Sequence, residues 1–448
     1  MTYTNLPGQG VVFWPVGTGD STTVVVADRH VLQVDLHDMD AADDDDAVVA
    51  AVIDRLAETL PTTDDDDPYL AVFALTHADA DHCGGFGDLL DSDILIGELW
   101  ATPRLWREFA GDEQEMCEDA HRFQKEAERR VAATLKAVKA GRQPTSGDRI
   151  RIIGYDVDRE DHSYAELPDE YFTYPGQAIT TMDGDDVSSV FEAFVHAPFK
   201  DDCAAARNDT SLAMQVTLRH PDDGTEGHIL LLGDLAYETI KKIFDFSAPK
   251  RPERLAWDVT LAAHHCSKKV MYAPGDNGEE ELKQDILDTL TEHATDGAYV
   301  VASSRPFRDA DKPGDNPPHL LARDHYDEVA PEGVLCTGEY SDVDAPRPIV
   351  FGLCPGEGLV LLPVEELEEP DRAVEAAGSR ASRLLKALGT TAAVAGGLGA
   401  AVLAARAASR RRLAAPAGSP GVAGVRDAIR RARGEDAAPA TSVGFGVW

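Results

Sequence analysis

Basic residues are scarce in this chain. Its 448 residues hold 42 Lys and Arg against 80 Asp and Glu, a net charge of −38. The deficit is uneven. Residues 371–448 carry 12 basic and 5 acidic side chains, a net of +7, so residues 1–370 hold −45. Phosphate surfaces are normally gripped by clustered Lys and Arg, so this balance opposes nucleic-acid binding by surface charge alone. It leaves room for a site whose positive charge comes from metal ions. Acid excess with few lysines also suits a cytoplasm at very high salt, where self-repulsion is screened. A halophilic source is the expectation, and an acidic protein with solvated loops the alternative.

Cysteine is equally sparse. Cys83, Cys117, Cys203, Cys266, Cys336 and Cys354 are scattered with no CxxC pair, which points to reduced thiols in a cytoplasmic protein. Met1 to Pro7 has neither the basic start nor the apolar stretch of a signal peptide. There is no internal repeat of fixed period, no Ser/His/Asp triad, no phosphate-binding glycine loop and no dinucleotide fingerprint. A hydrophobic content of 43% supplies a substantial core.

Against these absences stands one dense segment, Thr76-His-Ala-Asp-Ala-Asp-His-Cys-Gly-Gly85. It places His77, Asp79, Asp81 and His82 within six residues, directly after the apolar run Tyr69–Leu75, which predicts a buried strand. Imidazole and carboxylate together suit zinc, manganese or iron, and such a cluster at a strand end can hold two ions close together. One loop His or Asp alone would be an ordinary solvated residue; four at this spacing are a site. Gly84 and Gly85 let the backbone turn tightly into a helix below it.

The segment resembles the HxHxDH signature of the metallo-β-lactamase superfamily, with Asp79 where the second His is usual. That HxDxDH variant is similar to the hydrolase domain of the DNA-internalisation competence proteins and its stand-alone relatives. Other elements extend the resemblance over roughly residues 10–365. Gly17-Thr-Gly-Asp-Ser21 resembles the GxGDS hairpin that packs beneath the metal site; Asp20 either orients a ligand or caps the turn. Asp35 ends its strand where the superfamily keeps a structural Asp. Arg207-Asn-Asp-Thr-Ser-Leu212 resembles the NxxSL element and contributes Asn208 and Ser211, near where other members place a third His; His196 is the more distant alternative. His228–Leu235 is an apolar strand ending in Gly233-Asp234, and the resemblance implies that Asp234 bridges two ions, although a helix N-cap is the alternative. Val259–Ser267 ends in His264-His265-Cys266, resembling an HHGS element with Cys266 in place of Gly. One His of the pair is implied to close the second metal site: His264 as ligand, with His265 facing substrate or orienting a ligand. His319, in Asn316-Pro-Pro-His319, is a leaving-group acid or a surface residue.

The implied fold is an α/β, four-layer αββα sandwich over residues 1–365. Strand-like runs open the chain at 11–16, 21–26 and 30–35, a helix follows at 47–60, and another short one near 85–90. Further strands are expected at 149–154, 190–195, 211–218, 228–233, 257–262, 298–302, 334–337, 347–353 and 358–363, with helices near 236–245, 279–293 and 319–329. Residues 98–145 and 159–188 read as insertions, the first helical. Residues 366–386 read as a linker. Residues 387–405 carry no charge and are rich in Ala and Gly: a membrane anchor, an interfacial segment or a disordered tail. Residues 406–448 form a basic, low-complexity tail.

Two divalent ions, zinc or manganese, held by His77, Asp79, Asp81, His82, Asp234 and His264 would share a water and lower its pKa, with Asp81, His82 and His265 at the reacting centre. The expected function is metal-dependent hydrolysis. The resemblance implies a phosphodiesterase or nuclease with a nucleic-acid or other phosphodiester substrate. A small-molecule ester, thioester or lactone hydrolase is the first alternative, and a non-enzymatic, metal-stabilised partner module the second.

Overall fold

The computed structural model describes residues 6–38, 48–107, 116–155, 159–200 and 208–363. The linker, the 387–405 segment, the basic tail, Cys203 and the Asp run at 43–46 lie outside the described residues. No helix among the described residues is long and apolar enough to cross a membrane.

The chain begins with an antiparallel meander, β1 (Gly10–Phe13), β2 (Thr22–Ala27) and β3 (His30–Val34), and continues through α1 (Val52–Thr59) to β4 (Tyr69–Ala74). Two short helices, α2 (Ala80–Cys83) and α3 (Phe86–Asp91), lead to β5 (Leu95–Ala101). Then come α4 (Arg104–Arg107), the long α5 (Glu118–Lys139), β6 (Arg149–Ile153) and β7 (Phe172–Thr173). A second sheet starts with β8 (Ala178–Ile179). After a ribbon of β9 (Thr181–Met182) and β10 (Asp185–Asp186), it continues with β11 (Phe191–Ala197), β12 (Ala213–Arg219) and β13 (Glu226–Leu231). Next are α6 (Tyr237–Ser247), β14 (Trp257–Leu261), α7 (Ala263–Cys266), the ribbon β15 (Tyr272–Pro274) and β16 (Glu280–Leu282), and α8 (Gln284–His293). Finally β17 (Ala294–Ala302), α9 (Leu320–Val329) and β18 (Val334–Cys336) precede β19 (Ile349–Cys354) and β20 (Gly358–Leu361), which return to the first sheet.

The first sheet runs β20-β19-β1-β2-β3-β4-β5-β6-β7 and the second β18-β17-β14-β13-β12-β11-β8. Three apolar layers follow from strand alternation. Val11, Phe13, Val24 and Leu32 face Val195, Met214, Val216 and Ile229 between the sheets. On the outer side of the first sheet, Val12, Leu70 and Phe73 pack on Leu56 of α1, Phe86 of α3 and Phe123 and Val131 of α5. On the outer side of the second, Leu230 and Trp257 meet Ile240 of α6, Leu287 of α8 and Tyr326 of α9. The order is helices, sheet, sheet, helices: the expected αββα sandwich.

Two expectations need correction. The region 98–145 is not an added lobe. Residues 98–101 complete β5, a strand paired in parallel with β4 and β6, and α5 belongs to the outer helical layer. Glu98 hid the strand: it is buried, accepts the Asp183 N–H at 2.9 Å and pairs with Arg151 at 3.3 Å. The Arg130 guanidinium fastens α5 to the sheet by donating to the Gly97 carbonyl at 2.9 Å and the Ile96 carbonyl at 3.0 Å. Likewise, residues 159–188 supply the edge strands β7 and β8, one to each sheet, so this segment carries the chain across the sandwich.

Candidate metal centre

Strands β4, β13 and β14 lie in different sheets or at different positions, yet their C-terminal ends converge. From the first sheet, β4 runs out at Ala74 and the backbone passes through Thr76 and His77 into α2. Gly85 then turns the chain with φ +90°, a conformation costly for side-chain-bearing residues, and a Cβ there would meet the Asp38 carbonyl oxygen at 2.7 Å. The Leu212 N–H donates to the Thr76 carbonyl at 3.1 Å, tying this corner to the second sheet. Asp234 follows β13, and His264 and His265 follow β14.

The Asp234 carboxylate is buried and its two oxygens face different partners. Oδ1 lies 3.2 Å from His82 Nε2 and 3.6 Å from His265 Nε2, and His265 Nε2 lies 3.2 Å from Asp81 Oδ2. Oδ2 lies 3.7 Å from His264 Nε2 and 3.9 Å from His77 Nε2, with Asp79 Oδ2 3.5 Å from the same His77 nitrogen. Asp81, His82 and His265 therefore surround one oxygen, and His77, Asp79 and His264 the other. Among the described residues, Asp20, His82, Asp234 and His265 form a group whose ligand atoms lie within 4.8 Å of one another.

The two histidines divide between the two oxygens of Asp234. His265, expected to face substrate or to orient a ligand, sits in the tight group on Oδ1, while His264, expected as a ligand, faces Oδ2. The cause is the backbone. His264, His265 and Cys266 have φ of 52°, 54° and 64°, and this left-handed run throws the two rings to opposite sides of Asp234. Left-handed conformations cost about 1–2 kcal/mol per non-glycine residue, a strain typical of places where side-chain placement matters.

Outer partners fix the rings. Asp35 accepts from the Thr76 N–H and hydroxyl at 2.7 Å each, and lies 2.7 Å from His82 Nδ1. Because that carboxylate accepts a hydrogen bond from Nδ1–H, Nε2 is left to face Asp234. Asp20 Oδ1 lies 3.3 Å from His265 Nδ1, the rear nitrogen of a ring whose front faces Asp81 and Asp234. Neither of these two atoms makes a hydrogen bond, so Asp20 stands beside His265 as a charge and as one of the clustered ligand-type groups, while its N–H donates to the Asp81 carbonyl at 2.9 Å. The buried Ser211 hydroxyl stands 3.3 Å from His77 Nδ1 and accepts the Asp234 N–H at 3.3 Å.

The field at the centre is strongly negative. Burial alone would push His82 down, but Asp234 and Asp35 outweigh it and hold it well above the ordinary histidine range. His265 is raised in the same way against burial by Asp234 and Asp20. Asp234 is held well below the usual carboxylate range: its burial is overcome by His265, His82 and His77.

Four buried atoms aimed into this space, His77 Nε2, His82 Nε2, His265 Nε2 and Asp234 Oδ1, have no hydrogen-bond partner. Buried polar atoms are normally satisfied. Imidazole nitrogens and carboxylate oxygens left this way are the donor set of a divalent cation, and the residues present fit that group.

Other candidates are placed elsewhere. His196 is buried, its Nε2–H donating to the Arg254 carbonyl at 2.9 Å, and burial lowers it to about 4. Asn208 opens a 3-10 turn whose carbonyl accepts the Ser211 N–H at 3.1 Å, so it helps set Ser211. His319 is not the surface residue that was one of its two readings. It is 4% exposed, and both ring nitrogens are engaged, Nδ1 accepting from the Lys268 N–H at 3.3 Å and Nε2–H donating to the Asp315 carbonyl at 3.2 Å. With its own N–H donating to the Cys266 carbonyl, it braces the strained histidine turn. Sequence reasoning missed His37, whose Nδ1–H donates to the Val16 carbonyl at 3.0 Å beside Gly19. Burial lowers it, opposed by Asp81. Its only sequence signal is its place two residues after Asp35.

No family model and no curated protein matches the chain. Among solved structures the chain is similar to the metallo-β-lactamase fold protein YhfI from Bacillus subtilis, at 12% identity over 76% of this chain and 99% of that one, with a TM-score of 0.34. It is also similar to a class B3 di-zinc metallo-β-lactamase from an Alaskan soil metagenome, at 12% identity over 64% of this chain and 90% of that one (TM-score 0.27). A third similar structure is an archaeal metallo-β-lactamase superfamily protein from Sulfolobus tokodaii, at 13% identity over 64% of this chain and 97% of that one (TM-score 0.25).

Proposed function

We propose that this chain is a metal-dependent hydrolase with a two-ion centre, and that its substrate is a phosphodiester, with nucleic acid the first candidate. The observation that carries the hydrolase reading is the division of histidines and carboxylates between the two oxygens of Asp234. His77, Asp79 and His264 would hold one ion and Asp81, His82 and His265 the other, with Asp234 shared. Ions bound there would acidify a water and polarise the electrophile.

The chain's own contribution is to set these groups in advance. Asp35 fixes the tautomer and ring direction of His82, Asp20 places a negative charge behind His265, and Ser211 positions His77 against Asp234. Asp79 and Asp81 have side chains 25% and 38% exposed, whereas His77, His82 and His265 are buried and His264 is only partly so. Substrate therefore approaches from the carboxylate side. The phosphodiester preference rests on the HxDxDH form of the motif and on its GxGDS and HHCS companions. Cations at the centre would offset the acidic surface for an anionic substrate.

The test uses the full chain at high salt, loaded with zinc or manganese, against single- and double-stranded DNA, RNA, a cyclic dinucleotide and a simple phosphodiester. Ion-dependent cleavage that disappears in Asp81→Ala is the expected result. Two bound ions with hydrolysis of small esters or lactones, but of no phosphodiester, would replace the substrate reading with the small-molecule one. Absence of bound ions under all conditions would overturn the hydrolase reading and leave a partner module.

A further inference from the structure

Two thiols meet directly behind the ligand cluster. Cys83, next to His82 in α2, is fully buried and donates its S–H to the Asp79 carbonyl at 3.1 Å. Cys117 caps α5, its sulfur accepting the Ala120 N–H at 3.4 Å, and it is only partly buried. The two sulfurs stand 3.5 Å apart, although the residues are 34 positions apart in sequence, and both are free thiols.

Their proximity is built in. The Asp119 carboxylate accepts the Gly85 and Gly87 N–H groups at 2.8 Å each, and Arg122 makes a two-pronged bond to Asp91 at 2.7 and 2.8 Å. The first turn of α5 is thus fastened to the α2–α3 corner around the sulfur pair. Neither thiol has a part in the hydrolysis proposed above.

We propose that Cys83 and Cys117 form an oxidant-sensitive dithiol site, closed to a disulfide by hydroperoxides, that ties the ligand-bearing loop covalently to α5. A disulfide needs the sulfurs at about 2.05 Å, an approach of roughly 1.5 Å from their present separation. Cys117 is the attacking group because it is the accessible one and sits at a helix N-terminus. The neighbouring Cys83 thiol and the Ala120 N–H also lower it to about 6.

The Cys117 thiolate attacks one oxygen of hydrogen peroxide. An S–O bond forms, the O–O bond breaks, and hydroxide leaves. The Cys83 sulfur then attacks the sulfenic sulfur. The S–S bond forms, the S–O bond breaks, and the departing hydroxide takes the Cys83 proton as water. The two sulfurs together lose two electrons and the peroxide gains them. Cys83, buried beside the sulfenic group, reaches it before further oxidation.

The experiment treats the full chain with hydrogen peroxide, alkylates remaining thiols after denaturation, and digests it without reductant. The expected product is a peptide pair linked through Cys83 and Cys117, cleaved by dithiothreitol and absent from Cys117→Ser. Amide exchange across residues 76–85 should slow on oxidation and recover on reduction. A Cys117 sulfinic acid with Cys83 still alkylated, linkage of either residue to another cysteine, or unchanged exchange in the linked protein would overturn the proposal. If Cys83→Ala fails to fold, the partly exposed Cys117→Ser carries the comparison. No readout depends on hydrolysis, so the result stands apart from the proposed function.

Discussion

The two ends of β4 bury charge in opposite ways. Beyond its N-terminal end, Arg130 is 1% exposed yet fully engaged, with Nε on Glu126 at 2.9 Å and its other nitrogens on the carbonyls of Ile96, Gly97 and Arg149. Arg129 shares Glu126 at 2.8 Å and takes Asp148 at 2.8 Å. Tyr69 donates to Asp183, which also pairs with Arg149 at 3.0 Å. Positive and negative groups are interleaved there, as buried charges must be to offset desolvation. At the C-terminal end, no Lys or Arg enters the described ligand cluster, and histidine nitrogens and carboxylate oxygens point at a common space. One end is finished by pairing opposite charges, with Arg149 Nε and Asp183 Oδ1 facing each other at 3.0 Å although neither makes a hydrogen bond. The other gathers histidine nitrogens and carboxylate oxygens with no Lys or Arg side chain among them. Buried charge or an unsatisfied atom by itself does not mark a functional site; histidine and carboxylate atoms converging on one space do.

The largest effect that tests this contrast is expected from Asp234→Ala. Removing the shared carboxylate should lower ion affinity well beyond the roughly 10–100-fold that loss of an outer partner costs. Ion content after dialysis measures it, and an unchanged stoichiometry would break the distinction between the two ends. Glu126→Ala is the counterpart at the finished end. It leaves Arg130 without its carboxylate and should cost about 3–5 kcal/mol of stability with ion content unchanged, read by urea unfolding at fixed salt. Next comes Asp35→Asn, which weakens the hold on His82 Nδ1; ion affinity should fall by about 10–100-fold, measured by competition with a chromogenic chelator.

The smallest effects are in pH dependence at the finished end, and two residues there act with opposite sign. Burial raises Asp183 to about 6 from 3.8. Its folded form holds a proton more tightly than the unfolded chain does, so its contribution is fully present below pH 3.8 and lost as pH rises through about 6. Glu126 is lowered to about 2 from 4.5, its burial overcome by Arg129 and Arg130. Its contribution is present above pH 4.5 and lost as pH falls toward about 2. Urea midpoints across this range should lose the upper slope in Asp183→Asn and the lower one in Glu126→Gln. Parallel profiles for all three proteins would refute the assignment.

Much of the sandwich was legible because its strands are apolar runs bounded by turn residues. The strands expected after residue 190 and the helices expected near 236–245 and 319–329 fall close to where hydrophobic period placed them, whereas the helix expected at 279–293 begins only at Gln284 because residues 280–282 form β16. β5 was not legible, because Gly97 and Glu98 interrupt its pattern and the charge is neutralised only by Arg151, far along the chain. At the centre, the short spacing of His77, Asp79, Asp81 and His82 announced a site. The parts assembled by tertiary contact were harder to read. His264 and His265 are adjacent, and only three successive left-handed residues decide which ring faces which oxygen. His319 sits in a proline-rich stretch that looks exposed, but it is buried because its ring spans Lys268 and Asp315. Nothing in the sequence around Glu126 and Arg130 marks them as buried; the sheet beneath α5 imposes it.

The side chains of the cluster come from both sheets: His77 to His82 from one, Asp234, His264 and His265 from the other. Between the sheets the described contacts are mainly apolar, and stabilisation of that kind is non-directional. A coordinated ion would add directional bonds between the same two sheets. It would behave as a clasp along one margin of a two-leaved body, coupling leaves that could otherwise melt in sequence. Heating the ion-loaded chain should then produce a single sharp transition, and chelation should split it, with the clasped margin opening first.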